Sequence, residues 1–203
     1  MQNFIICSYF TLNTPYTKVA HDYLMPSVHK FNLESDIRGI LSLGSWQENT
    51  SYKSEFILWM LEHHKKNVVF LDADATICSY PSLFHEIPLE FNVACHILDR
   101  NAWYGNQCTP QYELLSGTAF FRYSPETLRI VEKWVEECKR LHQVWEQQLL
   151  QKVLDETKTR IFKLPLSYCY IVSLPDGSSP LVKCGDPVIV HHQRSRDLRN
   201  TIR

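Results

Sequence analysis

Asn67-Val68-Val69-Phe70-Leu71-Asp72-Ala73-Asp74 is the stretch that decides how this chain is read. The four apolar residues Val68 to Leu71 suit a central strand buried on both faces, as in a parallel sheet. Two aspartates follow at once, flanking a small residue. In open α/β sheets, ligands bind at that carboxyl edge. Two carboxylates there are costly when desolvated and unpaired. A hard divalent cation removes that cost, and carboxylate oxygens suit Mg²⁺ or Mn²⁺. Such a cation can bridge to a diphosphate and neutralise charge on a departing nucleotide. The same acids can also cap the next turn or pair with a surface lysine, and a D-x-D triplet is common.

Outward from this strand, strands alternate with helices. That pattern predicts an α/β/α sandwich with a mixed, mostly parallel central sheet. Residues 4–10 predict the first strand. A helical stretch from about Pro15 is interrupted near Pro26. Residues 37–43 read as a strand and 55–64 as a helix with Phe56, Trp59, Met60 and His63 on one face. Residues 91–98 and 114–122 are further strands. Ser124-Pro125-Glu126 opens a helix, with Ser as cap, Pro at the first position and Glu at the positive end. A second helix spans 145–156. Residues 160–164, 167–172 and 188–191 turn to strand, around a turn-rich loop at 175–180. No linker divides the chain, so residues 1–203 are expected to form one domain.

Composition narrows the function classes. The chain has 203 residues, a 44% apolar fraction and a formal net charge of −1. That balance gives no electrostatic case for nucleic acid or an anionic membrane. No apolar run approaches the roughly 18 residues of a membrane helix. The first residues, Met1 to Ile6, lack a basic lead and a long apolar stretch, so no signal peptide is read and a cytoplasmic location is expected. The seven cysteines form no C-x-x-C pair, which reads as reduced thiols rather than zinc ligands or a disulfide framework.

Residues 68–74 resemble the D-x-D region of GT-A fold glycosyltransferases, the nucleotide-diphospho-sugar transferase superfamily, with glycogenin-type enzymes as a distant relation. Further resemblances follow in that family's order. Leu115-Ser116-Gly117-Thr118-Ala119-Phe120-Phe121 is similar to the small-residue strand that lines the donor sugar pocket. Trp145-Glu146-Gln147-Gln148 is similar to the helix start below the sugar. Residues 188–196 resemble the late strand whose histidine completes the metal site. The resemblance covers nearly the whole chain, and the order and spacing of the motifs carry it. It implies a transferase that takes a sugar from a nucleoside-diphosphate sugar, with UDP the first guess.

The resemblance also assigns residues. His191 and His192 point to opposite faces of a strand, and the family pattern picks His191 as a metal ligand with Asp72 and Asp74. An imidazole beside two carboxylates favours Mn²⁺ over Mg²⁺. Lys53 is placed against the diphosphate, with Arg38 and Lys65 as competitors. In the basic tail Arg194, Arg196, Arg199 and Arg203, Arg196 is expected to help hold phosphate, and Arg199 and Arg203 to be solvated. Tyr9 and Thr11 sit where this superfamily reads the base. Ser116, Gly117 and Thr118 are expected to approach the donor sugar, and a bulge explains them equally well.

Glu146 is read as orienting the acceptor hydroxyl, as a base, or as stabilising the sugar cation, with Gln147 beside it and Asp99 as a second candidate. Glutamate stands where glycogenin-type patterns often have aspartate, so the stereochemical outcome stays open. The acceptor stays open too: a glycan, a lipid-linked glycan, a protein or a modified nucleobase. A partner subunit, including a second copy of the chain, or the loop 100–111 is left to shape its site, with Trp103, Tyr104 and Tyr112 as aromatic faces. Two alternatives are a sugar-nucleotide nucleotidyltransferase, disfavoured because Ser8 to Asn13 lacks Gly and Arg, and an inactive nucleotide-sugar-binding module.

Overall fold

The computed structural model describes residues 2–198, so Arg199 and Arg203 lie outside the described residues. In chain order the elements are β1 (Phe4–Thr11), α1 (Pro15–Asp22), α2 (Leu24–Lys30), β2 (Ser35–Ile40), α3 (Trp46–Ser51), α4 (Lys53–His64), β3 (Asn67–Leu71) and β4 (Ala75–Ile77). Then come α5 (Leu83–Glu86), β5 (Val93–Asp99), α6 (Arg100–Tyr104), β6 (Tyr112–Phe121), α7 (Pro125–Arg140) and α8 (Glu146–Glu156). The last third holds β7 (Ile161–Lys163), a 3₁₀ turn at Leu166–Tyr168, β8 (Tyr170–Ile171), β9 (Ile189–His191) and α9 (Ser195–Leu198).

Six strands form the central sheet in the order β2-β1-β3-β6-β5-β7. β1 pairs in parallel with β2 and β3, and β5 with β7, whereas β6 is antiparallel to both of its neighbours. One strand is therefore reversed in an otherwise parallel sheet. Alternate side chains feed two cores, as strand geometry requires. Ile5, Cys7, Val68 and Phe70 pack under α4, α7 and α8. Phe4, Ile6, Val69 and Leu71 pack on the other face, with Leu24 and Val28 of α2 and Phe84 of α5. This is the expected three-layer sandwich.

Several local features follow from sequence. Thr14 caps α1 ahead of Pro15, and Ser124 caps α7 ahead of Pro125. The helical stretch breaks at Tyr23 rather than at Pro26, which lies in the first turn of α2, where a backbone N–H would be unpaired anyway. The strand expected at 37–43 runs instead from Ser35 to Ile40. Beyond it, Leu43 N–H donates to the Asn49 side chain and Gly44 adopts φ 120°, which turns the chain into α3. Helix α3 opens with a reciprocal cap: Glu48 N–H donates to Ser45 Oγ at 3.2 Å, and Ser45 N–H to Glu48 Oε2 at 2.7 Å.

The strand expected at 167–172 shrinks to two residues in β8. It joins β4 and β9 in a separate small sheet of order β4-β9-β8. All seven cysteines are unpaired, with Cys7, Cys95, Cys138 and Cys169 buried. Among the described residues no helix is long and apolar enough to cross a membrane.

One irregularity positions the site. On β5, Cys95 faces Ala119 of β6, yet the next residue, His96, faces Leu115. Ser116, Gly117 and Thr118 are thus pushed out of pairing with β5, a wide bulge in the middle of the sheet. Thr118 still pairs with Leu71, and Asp72 N–H donates to the Gly117 carbonyl at 2.9 Å.

Candidate active site

A cleft of about 590 Å³ opens over the carboxyl ends of β1 and β3. Three groups meet at its floor. Asp72 and Asp74 follow β3, and His191 arrives on β9, where it faces Ala75. One ligand atom from each of Asp72, Asp74 and His191 lies within 4.8 Å of the others. Asp74 is held by the segment after β9: its carboxylate accepts from Arg194 N–H at 2.8 Å, and its carbonyl from His192 N–H at 3.3 Å.

His191 is 1% exposed. Its Nε2 is 2.8 Å from Thr118 Oγ1, and its Nδ1 is 3.8 Å from Asp74 Oδ1. Nδ1 is buried and has no hydrogen-bond partner among the described residues. Burial disfavours a charged imidazole, but the Cys169 sulfur and the Asp74 carboxylate outweigh it and push the His191 pKa up to about 10. Asp74 responds in the opposite sense. Burial opposes its charge, and the His191 imidazole wins, holding the carboxyl below its usual range.

The residues fit a divalent cation on three counts. The donor set is two carboxylates and an imidazole, which suits Mn²⁺. The unpartnered Nδ1 faces Asp74, while Thr118 orients the ring from the far nitrogen, the usual arrangement of a ligating histidine. Gly117 lies against the triad: an added Cβ would sit 2.9 Å from Asp72 Oδ2, 3.0 Å from His191 Cε1 and 3.2 Å from Nδ1. A side chain there would fill the space the ligand atoms surround.

Behind the acids lies a buried polar cluster. Lys53, at the start of α4, is 5% exposed. Its ammonium is 3.0 Å from Asp72 Oδ1, 3.0 Å from Glu146 Oε1 and 3.1 Å from Ser116 Oγ. Burial works against that charge, and Asp72 and Glu146 more than offset it, so the lysine is held above its ordinary pKa. Arg38 pairs with Asp36 and covers the Trp59 ring, and Lys65 ends α4, so neither takes this place.

Glu146 and Gln147 open α8 and reach the bulge. Ser116 Oγ donates to Glu146 Oε1 at 2.9 Å, and Ser116 N–H donates to Gln147 Oε1 at 3.0 Å. The backbone N–H that the bulge frees from β5 is thus satisfied by a side chain. Trp134 of α7 anchors the helix start, its indole N–H donating to the Glu146 carbonyl at 2.8 Å.

The remaining expected residues divide. Tyr9, Thr11 and Arg196 line the cleft. The Tyr9 hydroxyl donates to the Asn49 carbonyl at 2.6 Å, and its ring packs on Tyr52, Phe56 and Phe70. Thr11 bonds Thr14 at 2.8 Å, and Arg196 donates to the Ser173 carbonyl. Asp99 stands apart. It caps α6 by accepting from Asn101 and Ala102 N–H, and it is not among the residues that line the cleft. Trp103 is buried in a small core with Leu98 and Leu115, while Tyr112 is exposed away from the cleft lining. Sequence reasoning did not single out Trp46, Arg100 or Glu113, nor the Trp145 ring, all of which line the cleft. The available signal was two tryptophans, each just before or at the start of a helix near a site motif.

Comparisons with known proteins match the fold. A glycosyltransferase involved in the glycosylation of the major capsid of PBCV-1 has a TM-score of 0.70 at 15% identity, covering 98% of both chains. The bifunctional glycosyltransferase WbbM has 0.60 at 12%, over 94% of this chain and 45% of that one. Mouse xyloside xylosyltransferase 1 has 0.54 at 11%, over 94% of this chain and 97% of that one. No curated protein matches the chain by sequence. The sequence profile of the nucleotide-diphospho-sugar transferase family matches residues 44–201. The chain belongs to the nucleotide-diphospho-sugar transferase family of glycosyltransferases.

Proposed function

We propose that residues 1–203 act as one domain that transfers a sugar from a UDP-sugar to an acceptor hydroxyl, with Mn²⁺ held by Asp72, Asp74 and His191. The observation that carries this reading is the convergence of those three groups within 4.8 Å on the floor of the cleft. When bound, the cation supplies charge stabilisation to the diphosphate as it departs. Tyr9 and Thr11 border the space for the base, and Arg196 adds positive charge for phosphate. The bulge at Ser116, Gly117 and Thr118 lets the donor sugar approach the sheet backbone.

Lys53 acts through its neighbours in this reading. It fixes Asp72 for the metal and Glu146 beneath the sugar, rather than gripping the diphosphate itself. Glu146, bound by an ammonium and a hydroxyl on the same oxygen, supports the floor of the sugar site. Gln147 presents its amide beside it.

The test is UDP-sugar hydrolysis with and without Mn²⁺, in wild type and Asp74→Ala. Wild-type turnover is expected to need the metal and to fall at least 100-fold in the variant, since removing one of three ligands dismantles the site. Equal, metal-independent turnover in both proteins would sink the reading.

A further inference from the structure

We infer that the acceptor is a carbohydrate, its ring laid against Trp145 and its hydroxyls bound by Glu113 and Arg100. This deepens the donor reading above and rests on it. A line of polar contacts leads outward from the metal floor. It begins beside Gly117 at Ser116, and the Ser116 N–H donates to Gln147 Oε1 at 3.0 Å. Gln147 Nε2 then donates to Glu113 Oε1 at 2.8 Å, and Glu113 Oε2 is 3.5 Å from Arg100 Nε. That Nε is buried and has no hydrogen-bond partner among the described residues. The Glu113 and Arg100 side chains are 28% and 27% exposed, and both line the cleft, with Arg100 Nη1 also donating to the Pro110 carbonyl at 3.1 Å.

Trp145 completes the subsite. It precedes Glu146, lines the cleft and is 45% exposed, an unusual state for an indole at a helix start. Trp46 meets it at 77° with centroids 6.1 Å apart, which holds the ring in place without stacking on it. An aromatic face in the same cleft as a carboxylate and a guanidinium suits a pyranose. Its C–H face lies on the indole, and adjacent hydroxyls donate to the carboxylate and accept from the guanidinium. A lipid tail would meet charge along this wall, and a serine or threonine side chain would leave the indole without a partner.

The experiment uses the whole chain, Mn²⁺ and a UDP-sugar that it hydrolyses, with methyl α- and β-glycosides of glucose, galactose, mannose and xylose as acceptors. Transfer and hydrolysis are measured in the same reactions. Trp145→Ala is expected to lower the transfer-to-hydrolysis ratio at least tenfold, and Trp145→Phe to restore most of it. Glu113→Gln is expected to raise the acceptor KM at least fivefold with less change in kcat. Acceptor KM values unchanged in Trp145→Ala and Glu113→Gln overturn the subsite. So does hydrolysis that no methyl glycoside diverts, or transfer to peptides, lipid phosphates or nucleosides instead. If the wild type hydrolyses no UDP-sugar, the donor reading itself fails and the subsite falls with it.

Discussion

Gly117 shows what one missing side chain does here. Its φ is unremarkable, so backbone freedom does not explain it; the space beside it does. A methyl group would lie under 3.0 Å from an Asp72 oxygen and at 3.0 Å from the His191 ring. Gly117→Ala should therefore displace one of the proposed ligands, most easily Asp72, whose side chain is 39% exposed, although Lys53 holds its other oxygen. Isothermal titration is expected to show Mn²⁺ binding weakened at least tenfold while circular dichroism shows the fold retained. Wild-type affinity in the variant would mean that the ion does not sit between these residues. The sequence offered two explanations for Ser116-Gly117-Thr118, a ligand contact and a bulge. The bulge is present, and the opening that the glycine keeps clear supports the sugar contact as part of the proposed function.

Helices α7 and α8 act as a pair that aims Glu146 and Gln147. Trp134 anchors the start of α8. Farther along, Lys152 of α8 reaches Glu137 of α7 at 2.8 Å, and Arg140 reaches the same carboxylate at 2.6 Å. Arg140 and then Lys152 hold the Glu137 pKa down to about 2. A carboxyl whose folded pKa lies below its ordinary 4.5 stabilises the fold fully above that value and loses the effect as pH falls toward 2. Glu137→Gln should therefore lower the melting temperature at pH 7, and the gap to wild type should close between pH 4.5 and about 2. A gap independent of pH would assign the effect to packing rather than charge.

Elements of this length were legible because they carry a period or a cap. The apolar stripe and Ser-Pro-Glu opening of α7 identify it unaided, and β3 stands out as an unbroken apolar run. β4, β8 and β9 have two or three residues each. A pattern so short has no period: the strands read at 167–172 and 188–191 contain β8 and β9, but β4 and the gathering of the three into a separate sheet were not legible. The reversal of β6 was equally hidden, since a strand buried on both faces looks alike in either direction. Helix α3 could have been found from Ser45-x-x-Glu48, a capping box in plain sight.

Across the whole molecule, Lys53 joins regions the sequence keeps far apart: α4, the loop after β3, the β6 bulge and the start of α8. No local pattern marks a lysine for such a position, so its pairing with Asp72 and Glu146 was not legible. Removing its charge leaves Glu146, 8% exposed at the side chain, buried without a counter-ion. Lys53→Met is expected to cost about 3 kcal/mol in urea denaturation, at the lower end for breaking a buried pair because Asp72 stays partly solvated. Lys53→Met with Glu146→Gln should cost less than the two single changes summed. Strict additivity would show that the two groups are not coupled.

The stitching of Asp74 to the segment after β9 has a consequence in time. Arg194 N–H and the Asp74 carboxylate that accepts from it are 120 positions apart in the chain. During synthesis the two aspartates leave the ribosome long before His191 does. The nascent polypeptide can form most of its central sheet while His191 is still unmade. On the proposed metal-binding role, ion capture would belong to the last step of maturation, and a polypeptide released early would carry the pair of acids with nothing to close over them.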